Sequence, residues 1–211
     1  MKINASEKLW EENLDIAKLN LNTNFVKAIK DGSLPEKAFK SYIAQDAYFL
    51  EAFAKGYAML IFNSIDKEMM SDLVGLLVGV EEELKLHSKY MKSLNINLES
   101  FSPRTETSNY IDFLLNTASK GSSIEILSAM NPCMKLYSWI SKEILPGSNI
   151  SENKYSEWIN TYSGEDFEKL SLILESNLNR LFNLDEINFH AISSIYRQAL
   201  EFELDFFKAF Y

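Results

Sequence analysis

Ser33-Leu34-Pro35-Glu36-Lys37-Ala38-Phe39-Lys40-Ser41-Tyr42-Ile43-Ala44-Gln45-Asp46-Ala47-Tyr48-Phe49-Leu50-Glu51-Ala52-Phe53 is the stretch on which the fold turns. Its large apolar residues recur every three or four positions: Phe39, Tyr42, Ile43, Phe49, Leu50, Phe53, then Tyr57. That is the period of a helix with one buried face. Ser33 and Glu36 stand three apart with Pro35 between them, the pattern of a capping box that starts a helix. Working toward the N-terminus, Ser6 is placed to cap a helix running to about Asn20, and Thr23 to open a short one ending at Gly32. Toward the C-terminus, Asp66 caps a second long helix to about Leu94. Further helices are expected at about 107–119 (ending at Gly121), 123–144 through Pro132, 153–161, Glu165 to Asn183, and Asp185 to the end.

No segment alternates apolar and polar residues with the period of a strand. The 211 residues include only 7 Gly and 4 Pro, so turns are few and helices long. With 46% hydrophobic residues, the chain buries a sizeable core. No repeat, linker or low-complexity tract interrupts it. The expected fold is all-α: a single domain over 1–211, an irregular bundle of about eight helices.

The net charge of -9 speaks against a nucleic-acid surface and against an anionic membrane patch. No apolar run reaches the roughly 20 residues that span a bilayer. The N-terminus, Met1 to Lys8, lacks a signal-peptide core. A single cysteine and many Lys and Glu fit a reducing, cytoplasmic setting.

That cysteine, Cys133, lies in Asn131-Pro132-Cys133-Met134-Lys135-Leu136-Tyr137. With no second thiol to pair with, it is an apolar filler, a redox site or a nucleophile. Tyr137 shares its helix face one turn on. Pro132 either sits inside a long helix or is the first residue of a new one. In the second case the helix dipole would favour the thiolate. Asp46 stands in an aromatic stripe, where an unpaired carboxylate is costly to bury. It is either a surface acid at the edge of that stripe or a carboxylate facing an aromatic pocket. Glu201, Glu203 and Asp205 thread an aromatic C-terminal helix, and at about 100° per residue at most one of the two glutamates turns inward. Tyr110, Tyr137 and Tyr162 lie on three separate elements. Glu83 and His87, like Glu186 and His190, stand four apart. Di-iron helical sites use Glu and His three apart, so these read as Glu–His pairs rather than metal ligands. Two histidines are also few for a metal or haem site, and no phosphate loop or Ser-His-Asp arrangement is present.

Taken in order, these pieces resemble the TenA family, the thiaminase II or aminopyrimidine aminohydrolase group. They are Gly32-Ser33-Leu34-Pro35 with Phe39, Tyr42 and Gln45-Asp46; Glu83-Leu84-x-x-His87-x-x-Tyr90; Tyr110 before Phe113-Leu114-Leu115; Pro132-Cys133-x-x-x-Tyr137; Tyr155-x-x-Trp158-Ile159-x-x-Tyr162-Ser163 with Phe167; and Glu203-x-x-Phe206-Phe207. The last has Phe where the family signature ends in Trp. Phe49 stands where many members carry Tyr, so one hydroxyl is missing, and Tyr48 points elsewhere.

The resemblance implies a haem-oxygenase-like fold without haem, with no metal and no organic cofactor, usually as a homotetramer. It implies hydrolysis of 4-amino-5-aminomethyl-2-methylpyrimidine, or of thiamin, to the hydroxymethylpyrimidine for thiamin salvage. In that reaction Cys133 is the nucleophile and Glu203 the acid and base. Asp46 binds the pyrimidine's amino group and ring nitrogen and assists deprotonation of Cys133. Phe49 packs on the ring, while Tyr110, Tyr137 and Tyr162 line the pocket. The alternative is a non-catalytic pyrimidine- or partner-binding protein on the same fold.

Overall fold

The computed structural model describes residues 4–184 and 187–211. Among these there are ten α-helices, 3-10 turns at Leu98–Ser100 and Leu145–Gly147, and no strand. The chain is therefore all-α, with ten helices where about eight were expected.

The N-terminal helix anticipated from Ser6 to Asn20 is two helices, α1 (Ala5–Glu12) and α2 (Leu14–Leu21). Asn4, not Ser6, caps α1 and accepts from the Glu7 N–H at 3.3 Å. Asn13 separates the two, its side-chain amide donating back to the Leu9 carbonyl at 2.8 Å. Such local side-chain bonds compete with the helical ladder. Thr23 caps α3 (Asn24–Asp31) as expected. Gly32 ends it at φ 75°, a left-handed conformation that suits glycine. Asn153 completes that end, donating to the Ile29 and Lys30 carbonyls at 2.9 and 3.0 Å.

The Ser33–Glu36 capping box does not form. α4 (Glu36–Phe62) begins after Pro35 with no side-chain cap. Ser33 instead turns back to Asp31, whose carboxyl is held below its ordinary range by the Ser33 hydroxyl and N–H. Glu36 pairs with Lys40 at 2.7 Å. Asp66 caps α5 (Lys67–Ser93), accepting from Met69 N–H at 2.9 Å. α6 (Thr105–Lys120) ends at Gly121, and α7 (Ser123–Ile144) runs unbroken through Pro132. α8 (Ser156–Ser163), α9 (Glu165–Phe182) and α10 (Phe189–Lys208) follow. The expected start of the last helix at Asp185 lies outside the described residues. Asn188 caps α10 through the Ala191 N–H at 3.2 Å.

The helices form two compact units. One takes the described residues up to Leu34 and from Leu127 to Ala209, with Tyr211. The other takes Pro35–Ile126 with Phe210. In the second unit, α4 packs against α5 and α6. The stripe of α4 is buried as the periodicity predicts, with Phe39, Tyr42, Ile43, Phe49, Leu50, Phe53 and Tyr57 all inside. Leu73 and Leu76 of α5 and Leu114 of α6 are buried as well. Each such side chain contributes about 1.5–3 kcal/mol by leaving water. In the first unit, α10 packs on α2 and α3, and α9 on α1. Phe207 stacks on Phe25 with centroids 5.3 Å apart. No described helix is long and apolar enough to cross a membrane.

Candidate active site

The expected site residues divide between the two units. Cys133, Tyr137, Tyr162 and Glu203 belong to the first, and Asp46, Phe49 and Tyr110 to the second.

In the first unit, Cys133 is the eleventh residue of α7, half-buried, with its thiol not in a disulfide. The continuous helix settles the Pro132 alternatives. Cys133 is not in a first turn, and the helix dipole does not reach it there, because that effect fades within one turn of the end. Tyr137 is buried one turn further along the same helix. Its ring sits 4.9 Å from Tyr162 and 5.8 Å from Trp158, both on α8, and 5.5 Å from Phe207 on α10. Phe167 of α9 closes on Tyr162 at 4.9 Å, edge to face. These edge and tilted contacts are the favoured geometry for aromatic rings.

Glu203 lies one turn before Phe207 on α10 and is 1% exposed, while Glu201 and Asp205 are exposed. The inward acid of this segment is therefore Glu203. Glu201 faces out, with Arg197 at 3.3 Å. Cys133 and Glu203 thus each stand one turn from the Tyr137–Phe207 contact, on the two helices that make it.

In the second unit, Asp46 is buried on α4, so it is not a surface acid beside the stripe. Its Oδ2 lies 3.2 Å from Nε2 of His87, itself 1% exposed on α5. Burial pushes the His87 pKa down to about 4, against a small opposing pull from the backbone of Ile43. A neutral imidazole carries one N–H. On Nε2, that proton is donated to Asp46. Nδ1 then remains as a buried acceptor with no hydrogen-bond partner among the described residues. Glu83, one turn before His87, joins the group: carboxylate oxygens of Asp46 and Glu83 and a nitrogen of His87 lie within 4.8 Å of one another. Among the described residues, these three alone are grouped closely enough to hold a metal ion. The spacing of Glu83 and His87 was legible in the sequence. Asp46 as their partner was not, because it comes from another helix. Glu186 lies outside the described residues, and His190 is exposed in the first turn of α10.

Phe49, one turn after Asp46, packs on Tyr110 of α6 with centroids 4.6 Å apart, and on Phe53 at 5.4 Å. Two neighbours on α4 fix the segment before α6. Gln45 donates to the Ser102 carbonyl at 2.9 Å and accepts from Arg104 N–H and the Thr107 hydroxyl at 2.8 and 2.7 Å. Tyr48 donates to the Phe101 carbonyl at 2.9 Å, so its hydroxyl is engaged elsewhere and does not replace the one missing at Phe49. A surface groove of about 420 Å³ lined by Lys55, Met59, Asp112 and Asn116 contains none of the expected site residues.

Comparison with known proteins gives a consistent picture. The aminopyrimidine aminohydrolase of Bacillus subtilis is 33% identical over 169 residues, covering 77% of this chain and 69% of that protein. The bifunctional TH2 protein of Arabidopsis thaliana, described as mitochondrial, is 30% identical over 225 residues and covers 96% of this chain. The chain spans only 36% of the length of that plant protein. Among solved structures, a TenA family transcription regulator from Silicibacter sp. TM1040 superposes with a TM-score of 0.91 at 24% identity, covering 97% of this chain and 95% of its own. A domain with a heme oxygenase-like fold from Shewanella denitrificans OS217 superposes with a TM-score of 0.75 at 14% identity, over 96% of this chain and 90% of its own. At these identities the two structures speak for the fold alone. The sequence itself matches the TENA/THI-4/PQQC family over residues 15–211, and the chain belongs to that family.

Proposed function

We propose that the protein is an aminopyrimidine aminohydrolase. It converts 4-amino-5-aminomethyl-2-methylpyrimidine and water to the 5-hydroxymethyl pyrimidine and ammonia, in the service of thiamin salvage. Thiamin, with the same pyrimidine methylene bonded to a ring nitrogen, is a second substrate of this kind. The family match runs through both compact units, and they are proposed to act as one domain. The observation that carries the reading is the burial of Glu203, alone among three neighbouring acids, one turn from the ring that packs on Tyr137. Tyr137 is in turn one helical turn from the chain's only cysteine.

The chemistry needs those two groups. An amine on an exocyclic methylene leaves poorly. When the Cys133 thiolate adds to the pyrimidine ring, a carbon–sulfur bond forms and electron density moves toward the methylene. The carbon–nitrogen bond then breaks, and Glu203 gives its proton to the departing nitrogen. Water adds to the methylene, losing a proton to Glu203, and the thiolate leaves the ring. Glu203 ends protonated as it began, and the net change is the exchange of amine for hydroxyl.

Asp46 has the chemistry to bind the pyrimidine's amino group, and His87 suits the task of holding it. A neutral imidazole donates one hydrogen bond to the carboxylate and leaves its negative charge intact. A lysine or arginine there would offset that charge. Phe49 and Tyr110 offer flat apolar surface to a flat ring. Incubation with each pyrimidine, followed by chromatography and mass analysis of the products, tests the reading. The hydroxymethylpyrimidine is expected from both, with stoichiometric ammonia from the aminomethylpyrimidine and the free thiazole from thiamin. Tight binding without product would favour a binding protein, which needs neither a thiolate nor a buried acid.

A further inference from the structure

Gln45 stands beside Asp46 on α4 and is 1% exposed. Its amide reaches across to the start of α6. Nε2 donates to the Ser102 carbonyl at 2.9 Å, and Oε1 accepts from the Arg104 N–H at 2.8 Å and from the buried Thr107 hydroxyl at 2.7 Å. A carbonyl only accepts and an N–H only donates, so these partners leave the amide one orientation. α6 has no side-chain cap of its own. Its first turn is held from α4 instead. Thr107 lies three residues before Tyr110 on α6, and Gln45 four residues before Phe49 on α4, spacings that keep each pair on one helix face. The two helices are therefore joined by two successive rungs, the Gln45–Thr107 hydrogen bond and the Phe49–Tyr110 ring contact at 4.6 Å. The rungs differ in kind. Apolar burial has no direction, so packed rings slide on one another at little cost. A hydrogen bond weakens steeply with distance and angle. The polar rung thus sets the register of α6 along α4.

We propose that Gln45 is a positioning residue for pyrimidine binding: it fixes α6 along α4 so that Tyr110 meets Phe49 and the two rings form a single wall one turn from Asp46. Gln45 acts through α6 and does not touch the ligand. The inference rests on the proposed reading of Asp46, Phe49 and Tyr110 as pyrimidine-binding residues. Two neighbouring buried side chains of α4 then organise the site from two directions. Asp46 meets His87 of α5, at 3.2 Å, and Gln45 meets Thr107 of α6. A misplacement of about 1 Å can cost on the order of a hundredfold where geometry matters, so loss of the polar rung should show in binding. Cys133 and Glu203 belong to the other compact unit, and substitutions at this rung leave both in place as chemical groups. The loss is therefore expected in KM and not in kcat.

Steady-state kinetics with 4-amino-5-aminomethyl-2-methylpyrimidine, calorimetric binding of the hydroxymethylpyrimidine, and thermal melts of the full chain test it together. Gln45→Met keeps the length of the side chain and removes its hydrogen bonds. It is expected to raise KM and Kd about tenfold or more while kcat stays within about threefold. Thr107→Val, a milder change that removes only the hydroxyl, is expected to raise both by about fivefold, and Thr107→Ser, which keeps the hydroxyl, to stay within about twofold of wild type. Tyr48→Phe frees the Phe101 carbonyl, which lies ahead of α6, and is expected to leave KM within about twofold. Lower melting temperatures with KM and Kd unchanged, where every variant is folded, would make the rung a matter of stability alone and overturn the inference. So would a fall in kcat at constant KM. A rise in KM for Tyr48→Phe equal to that for Gln45→Met would assign the effect to the preceding loop and overturn the role of the α6 register. A wild type that binds neither pyrimidine refutes the proposed function itself. That outcome is distinct from failure of this inference, in which the wild type binds and Gln45→Met binds equally well.

Discussion

Glu203 and Asp46 are both acids set among aromatic residues, and each is buried to within a few per cent. A carboxylate so placed is costly unless other groups hold it or a reaction uses it. Replacing Glu203 by glutamine keeps a hydrogen-bonding group of the same size, but one that cannot serve as an acid or base at neutral pH. Glu203→Gln is therefore expected to lower kcat by about a hundredfold or more, and Glu201→Gln to leave it within about twofold. Steady-state assays of both variants check this, and the reverse order would mean that the wrong acid was assigned. If Asp46 binds the pyrimidine's amino group as proposed, Asp46→Asn removes a charge-assisted contact worth about 1.5–3 kcal/mol, and kcat/KM is expected to fall about ten- to hundredfold. A value within twofold of wild type would remove Asp46 from the site. The sequence narrowed the C-terminal acids to a choice without making it. Their helix phase is set by how α10 packs on α2 and α3, and packing between distant segments leaves no local trace. For the same reason His87 was visible as the partner of Glu83 but not of Asp46.

The helices themselves were largely legible, because their signals are local. Thr23 and Asp66 each bond the N–H three residues on, as helix caps do. Gly32 sits in the left-handed conformation that ends α3. Thr23→Ala is expected to cost about 1 kcal/mol, a fall of roughly 2–4 °C in Tm, with activity unchanged. Thermal melting checks it, and an unshifted melt would mean that the cap contributes nothing. Where the reading erred, two local signals competed. Ser33 had a capping-box glutamate ahead of it and Asp31 behind it, and it bonds the aspartate. The helical period runs through Asn13, yet its side chain takes the Leu9 carbonyl and parts α1 from α2. Pro132 posed the harder choice, since proline suits a helix start and is costly inside one. Here α7 continues through it. Cys133 therefore stands in the middle of α7, away from either end of that helix.

Across the whole molecule, the buried His87 ties stability to pH. Its pKa falls from 6.5 to about 4 on folding because burial disfavours the charged ring. The unfolded chain thus binds this proton more readily than the folded one. The stability due to keeping His87 neutral is fully present above pH 6.5 and is lost as the pH falls toward 4, by about 3 kcal/mol in all. Denaturant titrations at pH 7, 5.5 and 4.5 should show this decline, and His87→Gln should flatten the part that His87 contributes. An identical decline in the variant would assign the effect to other groups. The account as a whole rests on Cys133 as a nucleophile toward an aminopyrimidine. The most direct test follows product and ligand binding together in the wild type and in Cys133→Ser, which is nearly isosteric but far less nucleophilic at neutral pH. The account predicts that the wild type releases the hydroxymethylpyrimidine and ammonia. The serine variant should keep its helical signal and bind the pyrimidine with little change, yet turn over at less than about a hundredth of the wild-type rate. Most of the wild-type turnover surviving in Cys133→Ser would contradict it.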